Sequence, residues 1–233
     1  MEFEKRDRDL YEYIERKGAL HRQAGAHTRR AFDLLKAQAK SYVAQMRQWQ
    51  AAGVPEPAER VRLACEDKGD WEFYLRFSDD MLVFTMHTNV FEFSRQHEVM
   101  KLPYVKEDKE RSHCGVIFIY NFLADSIDYH RLNDSGYLIG RVFINKDNHY
   151  FIEGKQELGL LYSQFNTAVF DEKAGQDLLR AAMEYTSHFD LLTPPYDAVK
   201  EVTVVDFEED SAAKPLTSMK TAKRLGFRFQ ADQ

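Results

Sequence analysis

Residues 71–88 read WEFYLRFSDDMLVFTMHT, and this stretch decides the fold class. Trp71, Phe73, Leu75 and Phe77 point to one side of an extended chain, and Glu72, Tyr74 and Arg76 to the other. That period of two is the pattern of a strand. Ser78-Asp79-Asp80 turns the chain and Met81 to Thr88 returns. A two-residue loop at Asp79-Asp80 pairs Phe77 with Leu82, Leu75 with Phe84, Phe73 with Met86 and Glu72 with His87. A three-residue loop flips the returning strand and mixes its faces, so apolar segregation selects the shorter one. It does so without the glycine that such turns favour.

Working outward, residues 115–122, GVIFIYNF, are apolar almost without interruption. That marks a central strand buried on both faces. Ser126 to His130 is expected to be its neighbour. Tyr137 to Asn145 and His149 to Gly154 form a hairpin about Lys146-Asp147-Asn148. This sets Phe143 against Phe151 and Arg141 against Glu153, with Val142–Ile152 and Ile144–Tyr150 on the other face. Asn148 suits the left-handed position of such a loop. Further strands are expected at Val61–Cys65 and Val199–Phe207, and the charged run Lys101 to His113 reads as a surface loop or short polar helix.

Helices flank these strands. Residues 2–17 look helical, with a break or weakening near Gly18 and Gly25, where glycine costs ~1 kcal/mol against alanine. A second helix is expected from Thr28 to Ala52. Its Phe32, Leu35, Ala39, Tyr42, Met46 and Trp49 form a heptad-like seam that suits either its own sheet or a second copy. Gly53 and Pro55 stop it. Asp171 is placed to cap a helix from Glu172 to about Phe189, and Leu216, Met219 and Leu225 suggest a short helix in the tail. Strands outnumber helices in the body, with no βαβα alternation. The fold class is therefore α+β: a mainly antiparallel β-sheet of six to nine strands with an aromatic core, an N-terminal helical segment and one covering helix. The chain divides into an N-terminal helical arm (1–55), a sheet body (56–211) and a basic C-terminal tail (212–233).

The net charge of −6 hides an asymmetry. Residues 1–52 and 212–233 each carry +4, and the centre carries −14. The plain expectation is that the arms pack on an acidic body, their own or a neighbour's. The tail's Lys220, Lys223 and Arg224 offer nucleic-acid binding as an alternative. No Lys/Arg block of the usual density appears, so nucleic acid is disfavoured. Two lone cysteines, Cys65 and Cys114, suit a reducing compartment. No apolar run reaches the ~20 residues of a membrane span, and the expectation is a cytoplasmic protein with no membrane contact.

No catalytic or cofactor motif stands out: there is no glycine-rich phosphate loop, HExxH, GxSxG or CxxC pair, and no cofactor is expected. On a strand, Asp128 and His130 share a face and offer two ligands to a zinc, manganese or iron ion, the basis of a metal-dependent hydrolase alternative. Their plainer reading is a solvated strand end. Arg141, His149 and Tyr129 are the candidate ligand-binding residues, although His149 beside Asn145 also reads as an exposed polar pair. Cys114 beside His113 faces away from it on a strand, so it reads as a buried structural thiol. Residues 71–165 hold 18 of the 31 aromatics, and Tyr74, Tyr120, Tyr129, Tyr137 and Tyr150 offer a stacking platform; core packing is the plainer expectation. The reading that follows is a non-enzymatic cytoplasmic binding or interaction protein, dimeric through its N-terminal helix.

Overall fold

The computed structural model describes residues 2–53, 60–132, 134–154, 165–191, 193, 196–201 and 204. A single helix, α1 (Glu2–Gly53), precedes a sheet of β1 (Leu63–Asp67), β2 (Glu72–Phe77), β3 (Asp80–Met86), β4 (Phe91–Glu92), β5 (His113–Leu123), β6 (Tyr137–Asn145) and β7 (Tyr150–Gly154). The order is β1-β2-β3-β5-β6-β7, with β4 pairing β5 beyond the end of β3, and every pairing is antiparallel. Short helices α2 (Pro103–Glu107) and α3 (Ala124–Asp128) interrupt the meander, and α4 (Glu172–Ser187) follows it. This is the α+β architecture that the alternation predicts.

One face of the sheet is covered by α1 and α4. Phe73, Leu75, Phe84, Ile117, Ile119, Val142, Ile144 and Ile152 are fully buried beneath Phe32, Leu35 and Ala39 of α1 and Leu178, Leu179 and Ala182 of α4. The Phe73 and Phe84 rings stack at 4.5 Å, and Phe32 lies 5.3 Å from Phe73. The helix approaches most closely at β5. A Cβ on Gly115 would lie 2.2 Å from Thr28 Oγ1 and 2.8 Å from Thr28 Cβ, so only glycine fits there. Electrostatics reinforce the packing. Lys36 and Lys40 reach Asp67 at 2.9 and 3.0 Å, and Arg29 reaches Asp70 at 3.1 Å. The two ammonium groups hold the Asp67 carboxyl well below the usual carboxylate range. The basic N-terminal segment thus packs on the acidic body of its own chain.

Several expectations hold and several are corrected. The 137–154 hairpin has the predicted register throughout, with Asn148 at φ 61. The Asp171 carboxylate accepts from Ala174 N–H at 2.8 Å and caps α4 as expected. GVIFIYNF lies in the central β5 as expected, but it is not buried on both faces: Phe118, Tyr120 and Phe122 are only half-buried on the outer one, which α1 and α4 do not cover. The first hairpin keeps its predicted faces but slips by two residues: Phe77 opposes Asp80, Leu75 opposes Leu82 and Phe73 opposes Phe84. Ser78 takes the left-handed position, φ 58, in place of the missing glycine. Buried Asp80 is drawn into the strand by Asn121, whose Nδ2 donates to it at 3.2 Å.

The break at Gly18 and Gly25 does not occur. Glycine weakens a helix but removes no backbone hydrogen bond, and Leu20, Ala24 and Thr28, all buried, anchor the helix across it. The Phe32–Leu35–Ala39 part of the seam packs on the chain's own sheet, whereas Trp49 is exposed. Residues 126–130 are not a strand: α3 begins at Ala124, directly after β5, and His130 sits at φ 53. Val199 ends a short helix, α5 (Tyr196–Val199), Glu201 is not extended in a strand and Val204 is helical, so no strand forms over the described part of 199–207. Lys200 closes an i,i+3 pair with Asp197 at 3.0 Å, a contact of helical rather than extended spacing. Asn145 is fully buried, so it does not form an exposed pair with His149. The tail, 212–233, lies outside the described residues.

Two outcomes follow from this packing. Gly115→Ala should cost about 1–3 kcal/mol in urea unfolding through overpacking, and adding Thr28→Ala should recover only part, since Cβ of residue 28 stays at 2.8 Å. His21, on α1, is held below its ordinary value of 6.5 by burial first, then by His113 and Lys17. Its neutral form is thus favoured by folding, and that contribution is complete above the unfolded value and lost as pH falls below it toward the folded one. The melting temperature should drop between about pH 7.5 and about pH 5.5, and less so in His21→Gln, as scanning calorimetry would show.

Candidate functional site: an aromatic cleft on the open sheet face

The other face of the sheet is only partly covered. Its side chains fall in cross-strand rows fixed by the register: Glu72–Thr85–Phe118–Arg141–Glu153, then Tyr74–Val83–Tyr120, then Arg76–Met81–Phe122. At one end the segment 98–112 buries Val99 and Val105 against Cys114, Val116, Phe143, Phe151 and Phe165. A polar network fastens that segment to the β6–β7 turn. Asp147 accepts from Tyr104 Oη at 2.8 Å and from Arg111 Nε at 3.0 Å, and Lys146 reaches Asp108 at 2.6 Å. At the other end α3 closes over Met81 and Val83 with Ala124 and Ile127.

Between these two covers the face is open among the described residues. A cleft of about 590 Å3 elsewhere, at the β2–β3 turn, is lined by Asp79, Asp80, Asp125 and Asp190, and its polar groups serve the turn: Asp79 carbonyl accepts from Ala124 N–H at 2.8 Å. The cleft of the open face is different in kind. Its volume is about 530 Å3, and Tyr74, Val83, Tyr120, Phe122, Ile127 and Leu132 dominate its walls. Glu72, Thr85, His130 and Asp134 supply the polar positions. The Tyr74 hydroxyl bonds Glu72, and burial together with that bond pushes its ionisation up to about 12. Tyr74 therefore presents a neutral phenol. The Phe118 ring stacks beside Tyr120 at 6.1 Å and leads to a smaller hollow of about 280 Å3, lined by Phe91, Phe93, His97, Arg141 and Phe143.

The sequence candidates are scattered about this face rather than gathered. Arg141 lies in the smaller hollow, bonded to Glu153 and over the Phe143 ring at 5.2 Å. His149 stands apart, its ring 5.3 Å from Tyr104 and its backbone bridged to Val169. Tyr129 is exposed at the C-terminal end of α3. Because α3 is a helix, Asp128 and His130 do not share a strand face. His130 lines the cleft, while Asp128 accepts from Arg76 at 2.6 Å and lies 3.4 Å from Arg62. Among the described residues no group of three His, Cys, Asp or Glu side chains is arranged to hold a metal ion. Nor is any described helix long and apolar enough to cross a membrane. Cys114 is buried and unpaired, and burial pushes its thiol up, as expected of a structural residue.

Of the tyrosine platform, Tyr150 is buried under the helices and Tyr137 packs against the same core, but Tyr74 and Tyr120 face the cleft. The signal for these two was present in the sequence. They occupy the face opposite Phe73, Leu75, Ile117 and Ile119, and a hydroxyl there is out of place in a closed core. Comparison with protein-family models, curated proteins and solved structures finds no match.

The Asp128–Arg76 pair makes α3 a fixed wall of the cleft. Arg76 is 10% exposed, so Asp128→Ala leaves a nearly buried guanidinium without its carboxylate. A loss of about 1–3 kcal/mol in denaturant unfolding is expected; unchanged stability would show that α3 is held by other contacts.

Proposed function

We propose that this protein is a binding protein whose open sheet face receives a planar, uncharged aromatic small molecule. The observation that carries the reading is the cleft bounded by Tyr74, Val83, Tyr120 and Phe122 on rigid strands. Its volume, about 530 Å3, falls in the range of small-molecule sites. Tyrosine and phenylalanine offer ring faces for offset stacking, and their contribution exceeds that of area alone. The ring of Tyr120 is flanked on the same face by the stacked Phe118 ring, which keeps the platform ordered before a ligand arrives. Nearby charges are engaged within the chain: Arg131 lies 3.0 Å from Asp134, whose carboxylate accepts from Ser126 at 2.5 Å, and Lys68, 2.8 Å from Glu66, lies 4.9 Å over the Tyr74 ring. That leaves ring stacking and the Tyr74–Glu72 pair to choose the ligand.

Calorimetric titration with naphthol, a planar uncharged probe, tests the reading. One saturable site with a dissociation constant of about 100 μM or tighter is expected. Thr85→Trp, which fills the cleft from the sheet without removing a core side chain, should weaken it at least tenfold, or about 1.4 kcal/mol. Decanol at equal concentration should compete poorly, because it cannot stack. Absence of saturable binding, or equal binding by Thr85→Trp, would overturn the proposal.

A further inference from the structure

The helix α1 is 52 residues long, but only its middle is used by the sheet. Its first buried residue is Leu20 and its last is Val43. Every residue from Glu4 to Lys17 is exposed. At 1.5 Å per residue, the segment before Leu20 extends about 27 Å. Elongation from the packed turns needs no new nucleus, so this extension can be helical without contacts of its own.

The extension is not polar all round. Leu10, Tyr13 and Ile14 are 57%, 52% and 55% exposed. At 100° per residue they fall at the same azimuth as Ala24, Thr28, Ala31, Phe32 and Leu35, the residues with which α1 covers the sheet. The apolar stripe that carries the fold therefore runs on past the edge of the sheet, uncovered.

Three charges border that stripe, Arg6, Asp7 and Lys17, and the two on its heptad seam, Asp7 and Lys17, select its partner. Leu10 and Lys17 are one heptad apart, as are Asp7 and Ile14, so the four fill alternating seam positions. Two copies aligned in parallel would set Asp7 on Asp7 and Lys17 on Lys17. Two copies aligned antiparallel interleave the seam, setting Leu10 of each on Ile14 of the other and Asp7 of each on Lys17 of the other. The apolar layers then lie at the centre and an opposite-charge pair closes each end. Neighbouring charges are already engaged within the chain: Arg8 pairs Glu12 at 3.8 Å and Arg16 pairs Glu110 at 3.8 Å. No ion pair holds Asp7 or Lys17 among the described residues. This register centres the two-fold axis at residue 12, so that residue 4 of one copy lies level with Leu20 of the other. A closed two-fold interface of this kind also avoids open-ended assembly.

We propose that residues 4–20 of α1 form a homodimerisation arm in which two copies pair antiparallel, Leu10 against Ile14 and Asp7 against Lys17. It is a surface distinct from the seam at Phe32–Trp49 and independent of the ligand cleft. Sedimentation equilibrium of the full chain tests it. The wild type should have twice its 27.3 kDa mass, and Leu10→Glu with Ile14→Glu should yield a folded monomer with an unchanged melting temperature. Asp7→Lys should raise the dimer dissociation constant at least about tenfold, and Asp7→Lys combined with Lys17→Asp should restore it. A wild type that stays monomeric to about 100 μM, a dimer indifferent to Leu10→Glu with Ile14→Glu, or a double charge exchange no better than Asp7→Lys alone would each overturn it.

Discussion

The structure depends on the contact between α1 and β5. Thr28 sits directly on Gly115, closer than any side chain on the strand would permit, and its own hydroxyl turns back to the Ala24 carbonyl at 2.8 Å. That close approach lets Phe32 reach the Phe73–Phe84 stack and Leu35 and Ala39 reach the central strands. Burying side chains of this size stabilises by roughly 1.5–3 kcal/mol each, so this layer dominates the core. Helix α4 completes it, brought in by Gln38, whose amide donates to the Glu172 carbonyl at 2.6 Å.

Covering one sheet face so fully has a consequence for the other. The two long helices lie on the inner face, and among the described residues the outer face receives short pieces, the 98–112 segment at one end and α3 at the other. Each piece adds polar contacts to its apolar burial: Tyr104, Arg111 and Lys146 around Asp147 and Asp108 in one case, Arg76 and Asp128 in the other. The gap between them is the aromatic cleft. A rigid sheet beneath and fastened walls at the sides give a preformed hollow, the condition under which stacking contributes most to binding.

The same economy shapes α1. Its middle is matched to the width of the sheet, with Lys36 and Lys40 on Asp67 and Arg29 on Asp70 complementing the acidic body. Its start overshoots the sheet and carries the apolar stripe with it. A single element thus serves as core helix along one part of its length and as an exposed surface along another, which a seam drawn from spacing alone does not distinguish.

Local rules were legible in the sequence wherever the deciding interaction lies between near neighbours. Alternation placed β2, β3, β6 and β7, Asn148 fixed the β6–β7 register, and Asp171 marked the start of α4. Register in the first hairpin was not legible to the residue, because Asn121, 41 positions away from Asp80, draws that aspartate into the strand. The continuity of α1 through Gly25 was likewise decided by the sheet beneath it, where Ala24 and Thr28 are buried. The short helix in place of a strand at 124–128 is held by Arg76 and Arg62, neither near it in sequence. For the candidate site the division is the same. The sequence determined that Tyr74 and Tyr120 lie on the face opposite the phenylalanine core. Only the tertiary structure decided that, among the described residues, this face stays open, because coverage depends on where distant helices find their partners, and no local pattern encodes that.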